Sequence, residues 1–254
     1  MSDILRPDWP VPANIHAFTT TRLGPGVSEL PFHRFNLGAR CGDSPSAVRA
    51  NREALNREYG LPAEPLWLHQ VHGIEVVSDD GTRGSDPLAD AAVTSHADSV
   101  LAVLTADCLP VLFCNTAGSE VAAAHAGWRG LCGGILRKTV ATFKYPPDLL
   151  LAYLGPAIGP QVFEVGGEVL QAFLDQAQNP THRQAIAAAF RLRESVGDKY
   201  LADLYALARA ELQASGVTEI YGGDYCSYSD SERFYSYRRE PKTGRNGSLI
   251  WLRG

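Results

Sequence analysis

The 254-residue sequence predicts an α/β fold, a single three-layer α/β/α domain with a mixed central sheet. Short apolar runs that are typical of buried strands intermix along the whole chain with stretches of helical spacing. The chain contains no low-complexity linker and no internal repeat, so we expect residues 1–254 to form one domain. The alternation of strands and helices is less regular than an eight-fold barrel requires.

The first predicted elements are one strand and one helix. Ile15–Thr21 is rich in β-branched and aromatic residues, which favours a strand. Ser44 is a capping residue that precedes Pro45, and apolar side chains follow at helical spacing as far as Tyr59. Gly60 ends the predicted helix.

Three apolar runs in the middle of the chain each end on a residue capable of chemistry, namely His72, Cys108 or His125. The predicted strands that carry them are Leu66–His72, Val100–Thr105 and Val121–Ala124. We expect the last two strands to pair in one sheet, which would bring the thiol and an imidazole to the same edge.

The remaining elements follow from apolar spacing and from glycine or proline stops. Predicted helices are Leu131–Phe143, Val165–Ala177, Thr181–Arg191 and the amphipathic stretch Asp198–Ser215. Predicted strands are Ile74–Val77, Ala89–Thr94, Leu149–Leu154, Ile220–Tyr221, Phe234–Tyr237 and Leu249–Leu252.

Composition excludes several classes of partner. The net charge of −5 gives no basic surface for nucleic acid, and no apolar run approaches the ~20 residues that span a membrane. The N-terminus has neither the basic flank nor the apolar stretch of a signal peptide. Five cysteines, an odd number without framework spacing, favour free thiols and a reducing compartment, so we expect a cytoplasmic protein. No protein partner is predicted.

His72, Cys108 and His125 form a candidate metal site. Zinc binds thiolate sulfur and imidazole nitrogen, and three protein ligands with one open position is its catalytic arrangement. His69 and His72 should face opposite sides of a strand, so only one of them can join the other two ligands, and we choose His72 because Gly73 marks the strand end.

A nucleophilic alternative uses the same residues. Cys108 and His125 can form a thiolate–imidazolium pair, with Asp107 or His72 orienting the ring. The sequence leaves the metal and the nucleophile hypotheses open.

Arginines near glycine turns are candidate anion-binding residues. Arg129 lies in a glycine turn directly after His125, where a helix begins. Arg238 and Arg245 belong to an aromatic and basic stretch at Phe234–Arg245, in which guanidinium groups can hold phosphate. Arg22 and Asn36, in an early glycine-rich loop, are further candidates for substrate binding.

Five stretches of the chain, LHQVHG, TADCLPVLF, AAAHAGWRG, LGPAIGP and FYSYRREPKTGR, resemble the bacterial laccase-domain family, formerly called multicopper polyphenol oxidases. Its members are described as zinc-dependent purine nucleoside phosphorylases with adenosine deaminase activity, and one branch as a peptidoglycan editing factor. The resemblance implies an α/β/α domain and a metal bound by the residues numbered here His72, Cys108 and His125. The ligand set chosen from the residues alone is the same.

The resemblance leaves three activities to consider. The first is zinc-dependent phosphorolysis of purine nucleosides, including methylthioadenosine, combined with adenosine deamination, with Asp107 as a proton carrier or an orienting residue. The second is hydrolysis of an amide in a cell-wall peptide precursor at the same metal or cysteine. The third is polyphenol oxidation with copper, which ranks lowest because the seven histidines form no His-x-His pair.

Overall fold

The computed structural model describes residues 3–81, 86–193 and 197–254. Its strands are β1 (Ile4–Leu5), β2 (Ile15–Thr20), β3 (Val76–Asp79), β4 (Ala91–Thr94), β5 (Leu101–Thr105), β6 (Leu109–Asn115), β7 (Val121–Ala126), β8 (Leu150–Leu154), β9 (Glu164–Gly166), β10 (Phe190–Leu192), β11 (Lys199–Ala202), β12 (Glu219–Gly222) and β13 (Asn246–Leu252). Its helices are α1 (Pro45–Tyr59), α2 (Trp128–Gly133), α3 (Ile135–Val140), α4 (Gly167–Asp175), α5 (Pro180–Ala188) and α6 (Leu204–Ala214), with a 3₁₀ turn at Pro147–Leu149.

The strands form three sheets. The central sheet has six strands in the order β12-β8-β6-β7-β4-β3, with parallel pairing at both ends and antiparallel pairing between them. A four-stranded antiparallel sheet has the order β1-β2-β13-β5, and a small antiparallel sheet has the order β10-β11-β9. The predicted α/β fold with a mixed central sheet is therefore confirmed.

The β layer between the helices consists of two sheets packed face to face. Along β6, Val111 and Phe113 belong to the core on the helical side, whereas Leu112 and Cys114 belong to the core between the sheets. Both faces of this strand are buried, which explains its continuous apolar sequence. Helix α1 packs on the outer face of the four-stranded sheet, where Leu55 is fully buried.

Several predicted elements are confirmed, and two predicted helices have different boundaries because strands occupy their ends. Helix α1 begins at Pro45 and ends at Gly60, whose φ of 61° is left-handed. The predicted helix Asp198–Ser215 starts as strand β11, and Asp203 then caps α6 by accepting the N–H groups of the first helical residues. The predicted helix Val165–Ala177 likewise starts in β9.

Two further predictions are wrong in detail. The predicted helix Leu131–Phe143 is two short helices separated by Gly134, whose φ is 93°. The predicted strand Phe234–Tyr237 is a turn region with buried aromatic rings, in which the Tyr235 hydroxyl donates to the Phe32 carbonyl at 2.9 Å. The rings of Phe234 and Tyr235 are buried in this turn, whereas Tyr237 is exposed.

The described parts of the chain hold no helix with the length and apolar character needed to cross a bilayer.

Candidate active site

The side chains of His72, Cys108 and His125 lie together in the folded chain. Their potential ligand atoms are all within 4.8 Å of one another, and the Cys108 Sγ is 3.7 Å from the His72 Nε2. The two imidazole rings meet edge to face with centroids 4.8 Å apart. His125 is 2% exposed, whereas His72 is exposed. The cluster thus has one buried side and one side that a solvent-borne reactant can reach.

The pairing of β6 with β7 brings Cys108 beside His125. Cys108 directly precedes β6, and in the antiparallel register Pro110 lies opposite His125. The expected pairing of Val100–Thr105 with Val121–Ala124 is wrong, because β5 pairs with β13 in the four-stranded sheet. The chain passes from one sheet to the other between Thr105 and Cys108, so the cluster lies where the two sheets meet.

His72 lies in a loop and not at the end of a strand, as the sequence predicted. The segment around it makes only isolated bridges, from Leu66 to Leu101 and from His69 to Leu88. The backbone of His72 is left-handed, with a φ of 62°, which is uncommon for a residue other than glycine. Contacts from outside the loop are therefore needed to stabilise this backbone conformation of His72.

Asp90 holds the loop and one of the histidines at the same time. Its carboxylate is fully buried and accepts the backbone N–H groups of Val71 at 3.2 Å, His72 at 2.9 Å and Gly73 at 2.7 Å. The same carboxylate accepts a hydrogen bond from His125 Nδ1 at 2.8 Å. This bond places the proton on Nδ1 and leaves Nε2 of His125 for a metal or a thiol.

Sequence reasoning did not identify Asp90. The available signal was an acidic residue at the start of the apolar stretch Ala89–Thr94, since a carboxylate that is fully buried needs donors or a positive partner.

The charges in the cluster stabilise one another. Burial alone would raise the pKa of Cys108, but the positive charge and hydrogen bonds of His125 and His72 lower it overall. Burial alone would lower the pKa of His125, but Cys108 and Asp90 raise it overall. For Asp90, the hydrogen bond and charge of His125 outweigh burial and lower the pKa. Cys108 is thereby favoured as a thiolate, which is the form that binds metals and attacks electrophiles.

A cavity of about 530 Å³ opens beside the cluster. Its walls include the three clustered residues, the aromatic rings of Phe163 and Tyr237, and the side chain of Gln70. Four arginines also line it, namely Arg40, Arg52, Arg238 and Arg245. The cavity thus joins the Cys–His–His cluster to a cationic and aromatic surface, which suits a ligand with a ring and an anionic group.

Asp107 lines this cavity, and its carboxylate accepts two hydrogen bonds. Its Oδ1 accepts a hydrogen bond from the Ser227 hydroxyl at 2.6 Å, and its Oδ2 accepts one from the backbone N–H of Arg238 at 2.7 Å. Its backbone is left-handed, with a φ of 93°. The carboxylate that orients His125 is Asp90, so the expectation that Asp107 orients this ring is wrong.

The predicted arginines are divided between the cavity and the surface. Arg238 lines the cavity with its guanidinium donating to the Glu164 carbonyl at 3.2 Å, and Arg245 lines the cavity as well. Arg129 is exposed, lies 4.4 Å over the Trp128 ring and is not among the described lining residues. The expectation of a substrate-binding role for Arg129 finds no support in this geometry.

Arg22 and Asn36, also predicted to bind substrate, support the surrounding loops and are likewise outside the described cavity lining. Arg22 donates to the Ser231 carbonyl at 3.1 Å. Asn36 is fully buried, and its Oδ1 accepts the N–H groups of Gly38 at 2.9 Å and Arg245 at 2.8 Å. Sequence reasoning missed Arg40, Arg52 and Gln70, although Arg40 lies between Gly38 and Gly42 and Gln70 lies in the stretch LHQVHG.

The family of multi-copper polyphenol oxidoreductase laccases has a model that matches residues 16–253. The chain belongs to this family. It is 51% identical over 252 residues to the purine nucleoside phosphorylase YfiH of Escherichia coli, covering 99% of this chain and 100% of that protein. It is 49% identical to the purine nucleoside phosphorylase PA4543 of Pseudomonas aeruginosa, covering 99% of each chain.

Solved structures agree with this family membership. The crystal structure of Neisseria meningitidis protein NMB0706 matches with a TM-score of 0.93 and 48% identity, covering 100% of both chains. That of YlmD from Geobacillus stearothermophilus matches with a TM-score of 0.86 and 30% identity, covering 95% of this chain and 93% of that one. The resemblance drawn from the five sequence stretches is confirmed.

Proposed function

We propose that this chain is a zinc-dependent purine nucleoside phosphorylase. The observation that carries the proposal is the convergence of His72, Cys108 and His125 on a cavity lined by four arginines. Two relatives at 51% and 49% identity are named purine nucleoside phosphorylases, which supports it further. The substrates would be a purine nucleoside and inorganic phosphate.

In this reaction an oxygen of phosphate attacks C1′ of the ribose. The bond from C1′ to the purine nitrogen breaks, and the base leaves with the electron pair and takes up a proton. The products are the free purine and ribose 1-phosphate. The cavity arginines would hold the phosphate, and the rings of Phe163 and Tyr237 would pack against the purine.

The donor atoms of the cluster fit zinc. One thiolate and two imidazole nitrogens form a three-ligand set, and the hydrogen bond from His125 to Asp90 fixes the ring as carboxylates do around zinc-binding histidines. When bound, zinc would supply a Lewis acid that polarises substrate oxygen or water. The same donors bind copper tightly in the usual affinity order, so oxidase activity would reflect the metal that is loaded.

The proposal extends to phosphorolysis of methylthioadenosine and to adenosine deamination, because both substrates present the same purine to the cavity. The H-x-E and P-C-x-x-C signature of known zinc deaminases is absent from the sequence. Deamination by this chain would therefore rest on its own arrangement of groups. All five cysteines are free thiols, which supports a location in the reducing cytoplasm.

A second candidate function rests on a specific geometry. Cys108, His125 and Asp90 stand in the order nucleophile, base and orienting carboxylate, the order found in nucleophilic hydrolases. Such a site would act without metal on an amide, for example in a peptidoglycan precursor. Activity of metal-free protein that is lost on thiol alkylation would favour this candidate.

Product analysis tests the main proposal. Adenosine and inosine are incubated with the protein with and without phosphate, and products are separated by chromatography. Phosphate-dependent release of adenine and hypoxanthine is expected, and conversion of adenosine to inosine would show deamination. Absence of phosphate-dependent base release from both nucleosides by the zinc-loaded protein would contradict the proposal.

A further inference from the structure

Three of the cavity arginines lie in or against one loop, Leu37–Arg40: Arg40 belongs to the loop, and Arg52 and Arg245 contact it. Arg52, from helix α1, donates hydrogen bonds to the Leu37 carbonyl from Nε at 3.1 Å and from Nη2 at 3.0 Å. The Leu37 N–H in turn donates to the Arg245 carbonyl at 3.3 Å. The backbone carbonyl and N–H of Leu37 therefore contact the Arg52 guanidinium and the Arg245 backbone, respectively, and Arg40 follows in the same loop.

Arg52 is fixed in place as a cation. Its guanidinium lies 3.9 Å over the Trp67 ring, and the two hydrogen bonds to Leu37 go to a neutral carbonyl. Burial lowers the pKa of Arg52 and the nearby Arg40 lowers it further, while Asp86 and Glu64 raise it. An arginine in these surroundings keeps its charge and loses little side-chain freedom when an anion binds.

Arg245 is fixed from the other side of the loop. Its Nη1 donates to the carbonyls of Thr243 and Gly244, each at 2.9 Å. Its side-chain stem crosses Gly38, where an added Cβ would lie 2.6 Å from the Arg245 Cγ. A larger residue at position 38 would collide with the Arg245 side chain, so glycine is required there for Arg245 to adopt this position.

Folding uses part of this arrangement, because Arg52 supports the Leu37 loop and Asp86 and Glu64 act on its charge. Like charges that share one wall repel each other, and the chain as a whole carries a net charge of −5. Arg40 pairs with Asp86 at 3.2 Å at an exposed position, but Arg52 and Arg245 are held by carbonyl groups. The repulsion is offset when the cavity binds an oxyanion.

We propose that Arg52 and Arg245, assisted by Arg40, form the subsite that binds inorganic phosphate. The inference rests on the proposed function, in which phosphate is the second substrate, and it adds Arg52 and Arg40, which sequence reasoning did not single out, to the predicted Arg245. Two planar guanidinium groups from separate elements, both lining the cavity, can present donors to a tetrahedral oxyanion. Arg238 lies on another part of the lining, where its guanidinium is held by the Glu164 carbonyl.

Calorimetric titration of zinc-loaded protein with inorganic phosphate, without nucleoside, tests this subsite. Arg52→Gln and Arg245→Gln are each expected to weaken phosphate binding about ten- to hundred-fold, since each loses a charged hydrogen-bonding group. Arg57→Gln is the matched control, because Arg57 lies on the same helix but is exposed and paired with Glu58. Sulfate should compete with phosphate in the wild-type protein and in the control.

Arg52 also supports the Leu37 loop, so circular dichroism and melting temperature are recorded for each variant. Arg52→Lys, which keeps the positive charge but loses the planar guanidinium group, should fold and bind phosphate with intermediate affinity.

If both glutamine variants fold and bind phosphate with wild-type affinity, the proposed phosphate subsite is wrong. If those variants also release base with an unchanged KM for phosphate, the proposed function stands and only the subsite fails. If wild-type protein binds phosphate through these arginines but cleaves no nucleoside, the subsite stands and the proposed function fails.

Discussion

At the scale of single residues, Asp90 determines how the candidate site is arranged. Its one carboxylate accepts four hydrogen bonds, three from the loop that carries His72 and one from the ring of His125. The two histidines come from distant parts of the chain, and Asp90 contacts the backbone of one and the ring of the other. We therefore treat Asp90 as a positioning residue that acts through both histidines.

Asp90→Asn should lower zinc affinity about 10–100-fold, as removal of such supporting carboxylates does elsewhere. An asparagine keeps one acceptor oxygen but turns an NH₂ group toward donors that the carboxylate accepted. Chelator competition measures the affinity. Asp148→Asn is the control, because Asp148 is exposed on the 3₁₀ turn. Equal zinc affinity in Asp90→Asn and wild-type protein would show that the histidines are positioned without Asp90.

At the scale of elements, the turn between β7 and α2 is shaped by the cluster. An added Cβ at Gly127 would lie 2.9 Å from the His72 Cδ2 and 3.0 Å from the Cys108 Sγ. The φ of Gly127 is −63°, which any residue adopts. Glycine is thus required here by the closeness of the site and not by backbone conformation.

Gly127→Ala should weaken zinc binding and base release while changing the free energy of unfolding by less than about 1 kcal/mol, because no backbone strain is introduced. Gly60→Ala should instead lower the stability of the protein without weakening zinc binding. Gly60 has a left-handed φ of 61° with nothing within 4 Å of an added Cβ, so that change should cost about 1–2 kcal/mol and leave zinc affinity unchanged. Urea unfolding and chelator competition on both variants would separate the two effects. A Gly127→Ala protein with wild-type zinc affinity would contradict the tight packing.

Elements with strong local signals could be predicted from the sequence. Helix α1 has a proline at its start and a glycine at its end, and both are confirmed. Strands β9 and β11 were missed because each is short and lies just before a helix, so local spacing favoured the adjoining helices.

The site could be predicted only where its residues follow a local sequence pattern. Cys108 and His125 each follow or end an apolar run, which marks the sheet edge where they meet. Asp90 and Arg52 lie within regular elements or beside them, and only tertiary structure shows what they contact.

At the scale of the whole molecule, the two packed sheets connect the cluster to the rest of the core. Leu112 of β6 is 1% exposed and lies between the sheets. We propose that the chain is one domain, because the core between the sheets takes residues from both of them.

Thermal or urea unfolding should therefore be a single cooperative transition, with tryptophan fluorescence and far-ultraviolet circular dichroism giving the same midpoint. Leu112→Ala should lower the free energy of unfolding by about 2–5 kcal/mol and keep that single transition. Two separate midpoints in the wild-type protein would contradict the one-domain proposal.

The zinc content of protein purified without added metal, measured by mass spectrometry, tests the central claim most directly. About one zinc per chain is expected in the wild-type protein and in Cys114→Ala, whose thiol is buried in β6 away from the cluster. Cys108→Ala should fold but lose both the zinc and the phosphate-dependent release of base. Zinc retention with full turnover in folded Cys108→Ala protein would contradict the account.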